Sequence, residues 1–191
     1  MKFSLQRSVS AIGAADVTLD DGAKLPADIV VIGIGVRPSL DVAKQMGLTV
    51  DNGVVVDEFL ESSAAGIYAA GDIASFPYRT GQRVRVEHFV VAERQGQCAA
   101  DNMLGMRRKY DDIPFFWSAH FGKEIRYVGH ASKADDIAVG GNIEKEDAIF
   151  AYRENGRVVA FASLGRDFAC LQAERALEVD DTKTMNDLTA R

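Results

Sequence analysis

Cysteine, proline and tryptophan are scarce in this sequence of 191 residues, which contains 2, 4 and 1 of them. The two cysteines, Cys98 and Cys170, form no CxxC pair and no metal-ligand pattern, so they are predicted to be reduced, buried side chains of a cytoplasmic protein. No apolar run approaches the roughly 20 residues that a membrane helix needs, and no secretory signal is visible at the start. The sequence therefore predicts a soluble chain without a membrane segment.

Positive charge is also in deficit, with 22 Lys and Arg against 28 Asp and Glu and a net charge of −6. Sequence-independent nucleic-acid binding needs a basic surface, so that function class is disfavoured. With 47% hydrophobic residues the chain has the composition of an ordinary globular protein, not of a disordered one.

The glycine motifs that bind cofactor phosphates are missing as well. The segment Gly33-Ile34-Gly35 begins like the GxGxxG turn of a dinucleotide-binding unit, but Pro38 stands where the third glycine belongs. No other stretch supplies that turn, nor a GxxxxGK[ST] phosphate loop. Gly33 and Gly35 are more simply sites of close backbone packing than contacts to a phosphate.

Alternating and continuous apolar patterns predict the first elements of the chain. Residues 16–26 have the pattern of a β-hairpin around Asp21-Gly22, and residues 27–35 that of a strand buried on both faces. A short helix over residues 40–46, capped by Ser39, follows.

The rest of the sequence alternates short strands with two longer helices. Strands are predicted at residues 53–57 and 66–70, and a third block covers residues 83–87. A helix over residues 88–104 ends at Gly105. Four strands are predicted at residues 115–118, 123–128, 147–153 and 157–163, followed by a helix over 168–177 and a fraying tail after Glu178.

A few residues could carry chemistry. Asp72 follows a predicted strand and Gly71, where a carboxylate can accept hydrogen bonds from sugar or polyol hydroxyls, or can simply close a turn. His88 begins the long predicted helix, whose amino end favours an electron-rich ligand; it is otherwise a structural histidine. Trp117 offers a stacking surface or packs in the core. No metal site and no nucleophilic triad can be argued from the spacing, and the CxxxxC redox pair of disulfide reductases is absent.

These signals stand in an order that resembles a known family. The four segments LPADIVVIGIGVRPS, NGVVVDEFLESSAAGIYAAGDIASFP, RVRVEHFVVAERQGQCAADNMLG and PFFWSAHFGKEIRYVGHA are similar to the carboxyl-terminal half of FAD-dependent pyridine nucleotide oxidoreductases. Among these, the ferredoxin and rubredoxin reductases and the apoptosis-inducing-factor-like group are most alike. The resemblance covers residues 13–178.

The resemblance implies a mixed α/β and α+β fold in three parts. Residues 1–37 would be a remnant of an NAD(P)H-binding domain, 38–112 the second half of a Rossmann-like FAD-binding domain, and 113–191 a carboxyl-terminal reductase domain that can serve as a dimer interface. Members pass a hydride from NAD(P)H to FAD and electrons to a ferredoxin- or Rieske-type iron–sulfur protein.

The resemblance also implies roles for individual residues. Asp72 would hold the ribityl chain of FAD, with Gly71 allowing close approach. The helix that starts at Glu87, His88 and Phe89 would stabilise the reduced flavin. Trp117 would lie near the flavin and nicotinamide rings. Gly35 would lie near the nicotinamide nucleotide.

The family carries two GxGxxG units upstream of the matched region, and this sequence has neither. We therefore expect a truncated form, a wrongly assigned start or a degenerate form of a larger reductase, inactive alone, that retains FAD weakly or not at all. Residues 1–37 are expected to self-associate or to be disordered, because they lose most of their sheet.

A second hypothesis is a non-enzymatic module for homodimerisation or partner docking. A further hypothesis is a basic face for an acidic ferredoxin-like partner, the alternative being an ordinary solvated surface. That face would consist of Arg79, Arg83, Arg85, Arg107, Arg108 and Lys109.

Overall fold

The computed structural model describes residues 2–190 and divides the chain into two compact units, Met1–Arg37 and Pro38–Arg191. Among residues 2–190, no helix is both long enough and apolar enough to cross a membrane.

The first unit is a small antiparallel sheet. Its strands are β1 (Val9–Ile12), β2 (Asp16–Leu19) and β3 (Lys24–Pro26), with β2 in the middle. The predicted hairpin is confirmed as β2 and β3, and Gly22 takes the positive φ of +83° that the turn requires. β1 was not predicted.

The predicted buried strand at residues 27–35 is wrong. Residues 27–40 contain no helix or strand, and the side chains of Ile29, Val31 and Ile34 are 84%, 90% and 90% exposed. A strand is stabilised only by ladder bonds to a neighbour, and among the described residues none pairs with this segment. The apolar run therefore forms no strand and is open to solvent.

The second unit begins with short elements and one long helix. It contains α1 (Asp41–Gln45), β4 (Val54–Val55), β5 (Ala74–Pro77), β6 (Arg83–Val84) and α2 (Phe89–Met103). β5 lies between β4, which is parallel to it, and the antiparallel β6. Their core includes Val56, Leu60, Phe76, Cys98 and Tyr110.

Two local predictions in this region need correction, and a third is confirmed. Leu40 rather than Ser39 is the N-cap of α1, and it makes no side-chain cap bond. The predicted strand at residues 66–70 is reduced to a single bridge between Glu61 and Tyr68, because the described chain offers no further strand to pair with it. The long helix is confirmed, with His88 as its N-cap and Leu104 as its C-cap.

The carboxyl-terminal part is an antiparallel sheet with helices on one face. Its strands are β7 (Phe115–His120), β8 (Lys123–Gly129), β9 (Asp136–Asn142), β10 (Asp147–Glu154) and β11 (Arg157–Leu164). They are ordered β7-β8-β11-β10-β9, so the four predicted strands are confirmed and β9 is the one that was missed.

Two helices close this part of the chain, α3 (Asp167–Glu178) and α4 (Thr182–Asp187). α3 covers a core that contains Val128, Ile149, Phe161 and Cys170. The expectation of a fraying tail is wrong, since α4 is capped by the Asp181 carboxylate and buries Met185 in the same core. Cys98 and Cys170 are both free thiols and buried, as predicted.

Candidate functional site

The turn at Gly71-Asp72 is held tightly against α2. Gly71 has a φ of +81°, and a Cβ atom on it would lie 3.2 Å from the Cβ of Ala92. Its N–H donates a hydrogen bond of 2.7 Å to Oε1 of Gln95, which is buried in the second turn of α2. Both the backbone conformation and the close approach to the helix therefore require glycine at this position.

Asp72 presents its carboxylate to solvent from this turn. Its backbone carbonyl accepts a hydrogen bond of 2.8 Å from Nη1 of Arg85, while its side chain is exposed. The residue lies in a 3₁₀ turn, Gly71–Ile73, that leads into β5. It does not follow a strand end as predicted, because residues 66–70 lack the ladder partners that would make them a strand.

The two side chains that hold this turn each bury a donor without an acceptor. Nε2 of Gln95 and Nε of Arg85 have no hydrogen-bond partner among residues 2–190. Leaving such a donor unsatisfied costs about 1–3 kcal/mol.

His88 caps the amino end of α2 beside the turn. Its Nδ1 accepts a hydrogen bond of 3.2 Å from the N–H of Val90. Desolvation lowers the pKa of His88 below its ordinary value of 6.5, and the charge of Asp72 opposes this shift. A neutral ring is the form that can accept the Val90 bond, so the cap and the pKa agree.

An aromatic cluster surrounds this helix start. The ring of His88 lies 4.9 Å from that of Phe89 and 5.8 Å from that of Trp117, and the Phe89 and Trp117 rings meet edge to face at 5.2 Å. Phe89 and Trp117 are 59% and 38% exposed. They therefore offer an open aromatic surface next to the unpaired N–H groups of the helix end.

A groove of about 390 Å³ runs along the same place. Inside it, Arg85 and Glu87 form an ion pair with an N–O distance of 2.6 Å. Its lining consists of Arg85, Val86, Glu87, His88, Phe116 and His130.

The structure brings most of the predicted site residues together. The groove, the aromatic cluster and the turn include Gly71, Asp72, Glu87, His88, Phe89 and Trp117. Gly35 belongs to the other unit, in the exposed segment, with nothing within 4 Å of a Cβ built on it.

Sequence reasoning assigned no role to Gln95 and missed the part that Arg85 plays in the site. A signal for Gln95 existed, since this polar residue sits on the apolar face of α2 at helical spacing from Val91 and Cys98. Arg85 gave no such signal, because its contact with the Asp72 carbonyl depends on tertiary structure.

The six basic residues of the hypothetical partner face all have partners within the chain. Arg85 pairs with Glu87, Arg108 with Asp101, and Lys109 with Glu58. Arg79 and Arg83 donate hydrogen bonds to the backbone carbonyls of Leu177 and Val56. The guanidinium group of Arg107 lies over the ring of Phe59. The charge is offset where the partner is a carboxylate, whereas Arg83 and Arg107 keep theirs.

Fold and site together define a class of protein, an α/β protein that offers a glycine turn, a helix amino end and an aromatic surface to a planar, polar ligand. The pyridine nucleotide-disulphide oxidoreductase family model matches residues 1–96, and the reductase carboxyl-terminal model matches residues 115–190. The chain belongs to the pyridine nucleotide-disulphide oxidoreductase family. The mixed fold class expected from the sequence is thereby confirmed.

Relatives of known function point in the same direction. The chain is 32% identical over 176 residues to apoptosis-inducing factor 3 of Mus musculus. The aligned region covers 87% of this chain and 29% of the relative. It is 35% identical over 179 residues to the 5,5'-dehydrodivanillate O-demethylase ferredoxin reductase subunit of Sphingobium sp. (strain NBRC 103272 / SYK-6), covering 93% and 43%.

A solved structure shares the fold. The covalent complex of putidaredoxin reductase with putidaredoxin contains a chain that superposes with a TM-score of 0.84 at 29% identity, covering 96% of this chain and 46% of that one. The chain thus spans less than half the length of each of these three proteins.

FAD, the cofactor that the resemblance implies, fits the site at its flavin end. The Asp72 carboxylate is exposed on the turn that Gly71 packs against α2, and the aromatic surface borders the groove. The pyrophosphate end has no counterpart, since the 191 residues contain no GxGxxG turn.

Proposed function

We propose that this chain forms the flavin-facing half of an FAD-dependent NAD(P)H reductase that delivers electrons to a ferredoxin- or Rieske-type iron–sulfur protein. Bound FAD would supply the chemistry, accepting a hydride and giving up electrons one at a time. The observation that carries the proposal is the convergence of Asp72, His88 and Trp117 at one helix end.

Each residue of the site has a task in this proposal. The carboxylate of Asp72 accepts hydrogen bonds from the ribityl hydroxyls. The free N–H groups at the start of α2 favour negative charge on the pyrimidine side of the flavin. Phe89 and Trp117, whose rings meet edge to face, would pack against the ring system and exclude water from it, and Glu87 keeps Arg85 in place through their ion pair.

Gly35 is proposed to lie near the nicotinamide nucleotide in the larger reductase. The support is the resemblance of residues 25–39 to the family, together with the match of the family model to residues 1–96. The two free, buried thiols agree with a reducing compartment, and we place the protein in the cytoplasm.

The chain alone is proposed to hold FAD weakly and to be inactive. A charge-assisted hydrogen bond contributes about 1.5–3 kcal/mol, so Asp72 cannot replace the contacts that a pyrophosphate turn provides. A purified chain that is yellow with stoichiometric flavin would overturn this part of the proposal.

Equilibrium titration with FAD tests the site. The wild-type chain should bind FAD weakly but saturably, and Asp72→Ala should lower the affinity about tenfold, the equivalent of one charge-assisted bond. Asp51→Ala, at another exposed aspartate, is the matched control. Equal affinities for wild type and Asp72→Ala would contradict the assignment of Asp72.

For the iron–sulfur partner, the support is the family and the structure of a relative bound to putidaredoxin. Binding of an acidic ferredoxin should weaken as salt is raised, if the basic side chains contribute. Binding without salt dependence would argue against their role.

The alternative proposal is a non-enzymatic dimerisation or docking module. It is supported by the open apolar segment at residues 29–36 and by the missing phosphate-binding turns. Absence of any flavin binding, together with stable self-association, would favour this alternative.

A further inference from the structure

The turn that carries Asp72 is held by two side chains that do not touch its carboxylate. Gln95 accepts the N–H of Gly71 at 2.7 Å, and Arg85 donates to the carbonyl of Asp72 at 2.8 Å. Both bonds are to the backbone, so they fix the turn and leave the carboxylate exposed.

The hydrogen bond from Gly71 determines how the side-chain amide of Gln95 is oriented. A backbone N–H only donates, so the amide oxygen must face Gly71 and the NH₂ group must point elsewhere. Gln95 is fully buried, and its Nε2 finds no acceptor among residues 2–190. An apolar side chain at this position would leave no buried donor without an acceptor. The advantage of an amide here is therefore that its oxygen accepts the hydrogen bond from Gly71.

Arg85 shows the same combination on the other side of the turn. Its Nε is buried without a partner while its Nη1 holds the Asp72 carbonyl. Of the four such side-chain atoms in the described part of the chain, two belong to the pair that holds this turn.

We propose that Gln95 is a positioning residue that orients Asp72 for the ribityl hydroxyls of a flavin by fixing the N–H of Gly71. This inference rests on the proposed function, because it assumes that Asp72 meets a ribityl chain. Arg85 supports the same turn from its carbonyl side.

Two simple flavins separate this role from a general structural one. Riboflavin carries the ribityl chain, lumiflavin lacks it, and neither needs a pyrophosphate turn. If Asp72 is no longer positioned, only the binding of riboflavin should weaken. General disruption of the site should weaken the binding of both flavins. The informative quantity is the ratio of their dissociation constants, measured by fluorescence titration.

The wild-type chain should bind riboflavin about tenfold more tightly than lumiflavin, the equivalent of one charge-assisted bond. Gln95→Leu, which removes the acceptor, should reduce that ratio to about one while leaving lumiflavin binding unchanged. Gln97→Leu, on the exposed face of the same helix, should keep the wild-type ratio.

Gln95→Glu provides a rescue that distinguishes the oxygen from the amide nitrogen. Near pH 6 burial keeps a carboxyl neutral, so its carbonyl can still accept the Gly71 N–H and the ratio should stay near tenfold. If Gln95→Leu does not fold, Gln95→Asn replaces it, since its shorter side chain cannot reach Gly71 and should also collapse the ratio.

The outcomes separate the inference from the proposed function. A ratio near ten in wild type that persists in Gln95→Leu or Gln95→Asn overturns the role of Gln95 and leaves Asp72 in place. A collapsed ratio in Gln95→Glu also overturns it. A wild-type ratio near one, or no binding of either flavin, overturns the assignment of Asp72 and the inference with it.

Discussion

Two apolar segments of this chain have similar composition, but one is buried in a sheet and the other is exposed to solvent. Residues 29–36 and strand β11 (Arg157–Leu164) are both rich in aliphatic side chains. In β11, Ala160 and Phe161 are fully buried between the ladders to β8 and β10, whereas Ile29 and Ile34 are 84% and 90% exposed. Composition makes a strand possible, and the presence of neighbouring strands decides whether it forms.

The largest expected difference between the two segments is in stability. Phe161→Ala should lower the free energy of unfolding by about 3–5 kcal/mol, because it opens a cavity in the core. Ile32→Ala, at a side chain that is 63% exposed, should change it by less than about 0.5 kcal/mol. Urea denaturation of both variants measures the contrast, and a comparable loss in Ile32→Ala would show that the segment is packed in solution.

The open segment should also make the chain self-associate. Unpaired backbone and apolar side chains at residues 29–36 can pair with the same segment of another copy. Light scattering should show a mass that rises with concentration in wild type and that stays near 20.7 kDa in Val31→Lys.

Val42→Lys is the matched control, since Val42 is an exposed side chain in α1 and its replacement should leave association unchanged. A clean monomer of the wild-type chain with an ordered amino-terminal unit would contradict this prediction.

A smaller effect is expected from pH at the helix end. Burial depresses the pKa of His88 below 6.5, so the unfolded state binds a proton at higher pH than the folded state does. The stability that depends on neutral His88 is therefore complete above pH 6.5 and declines as the pH falls from there towards the folded pKa. His130, whose pKa burial also lowers, adds a decline of the same sign.

His88→Asn tests this contribution, because asparagine can still cap α2 but does not titrate. The loss in the urea midpoint between pH 7.5 and 5.5 should be smaller in His88→Asn than in wild type. His120→Asn, at an exposed histidine, controls for the change of residue type. An unchanged pH dependence in His88→Asn would remove His88 from this account.

The sequence predicted elements whose signals are local. The β2–β3 hairpin depends on Asp21-Gly22, and α2 on its apolar spacing and on Gly105, so both could be found from the residues alone. β9 was not predicted because it is largely exposed and contains Gly140 and Gly141, which are unfavourable for a strand.

The remaining misses depend on tertiary contacts. α4 is a polar segment that is held by one buried side chain, Met185, and by the cap at Asp181. In the site, Asp72, His88 and Trp117 could be proposed from the order of the motifs. Their supports Arg85 and Gln95 act through single backbone bonds that no spacing rule reveals.

The most direct test of the central claim follows the indole N–H of Trp117, the single tryptophan of the chain, in a ¹H–¹⁵N spectrum during titration with lumiflavin. The account predicts that this resonance and the amide of Phe89 shift together and saturably, while the amide of Cys170 in the other core stays fixed. Shifts confined to other parts of the chain, with the Trp117 indole unmoved, would contradict a flavin site at the amino end of α2.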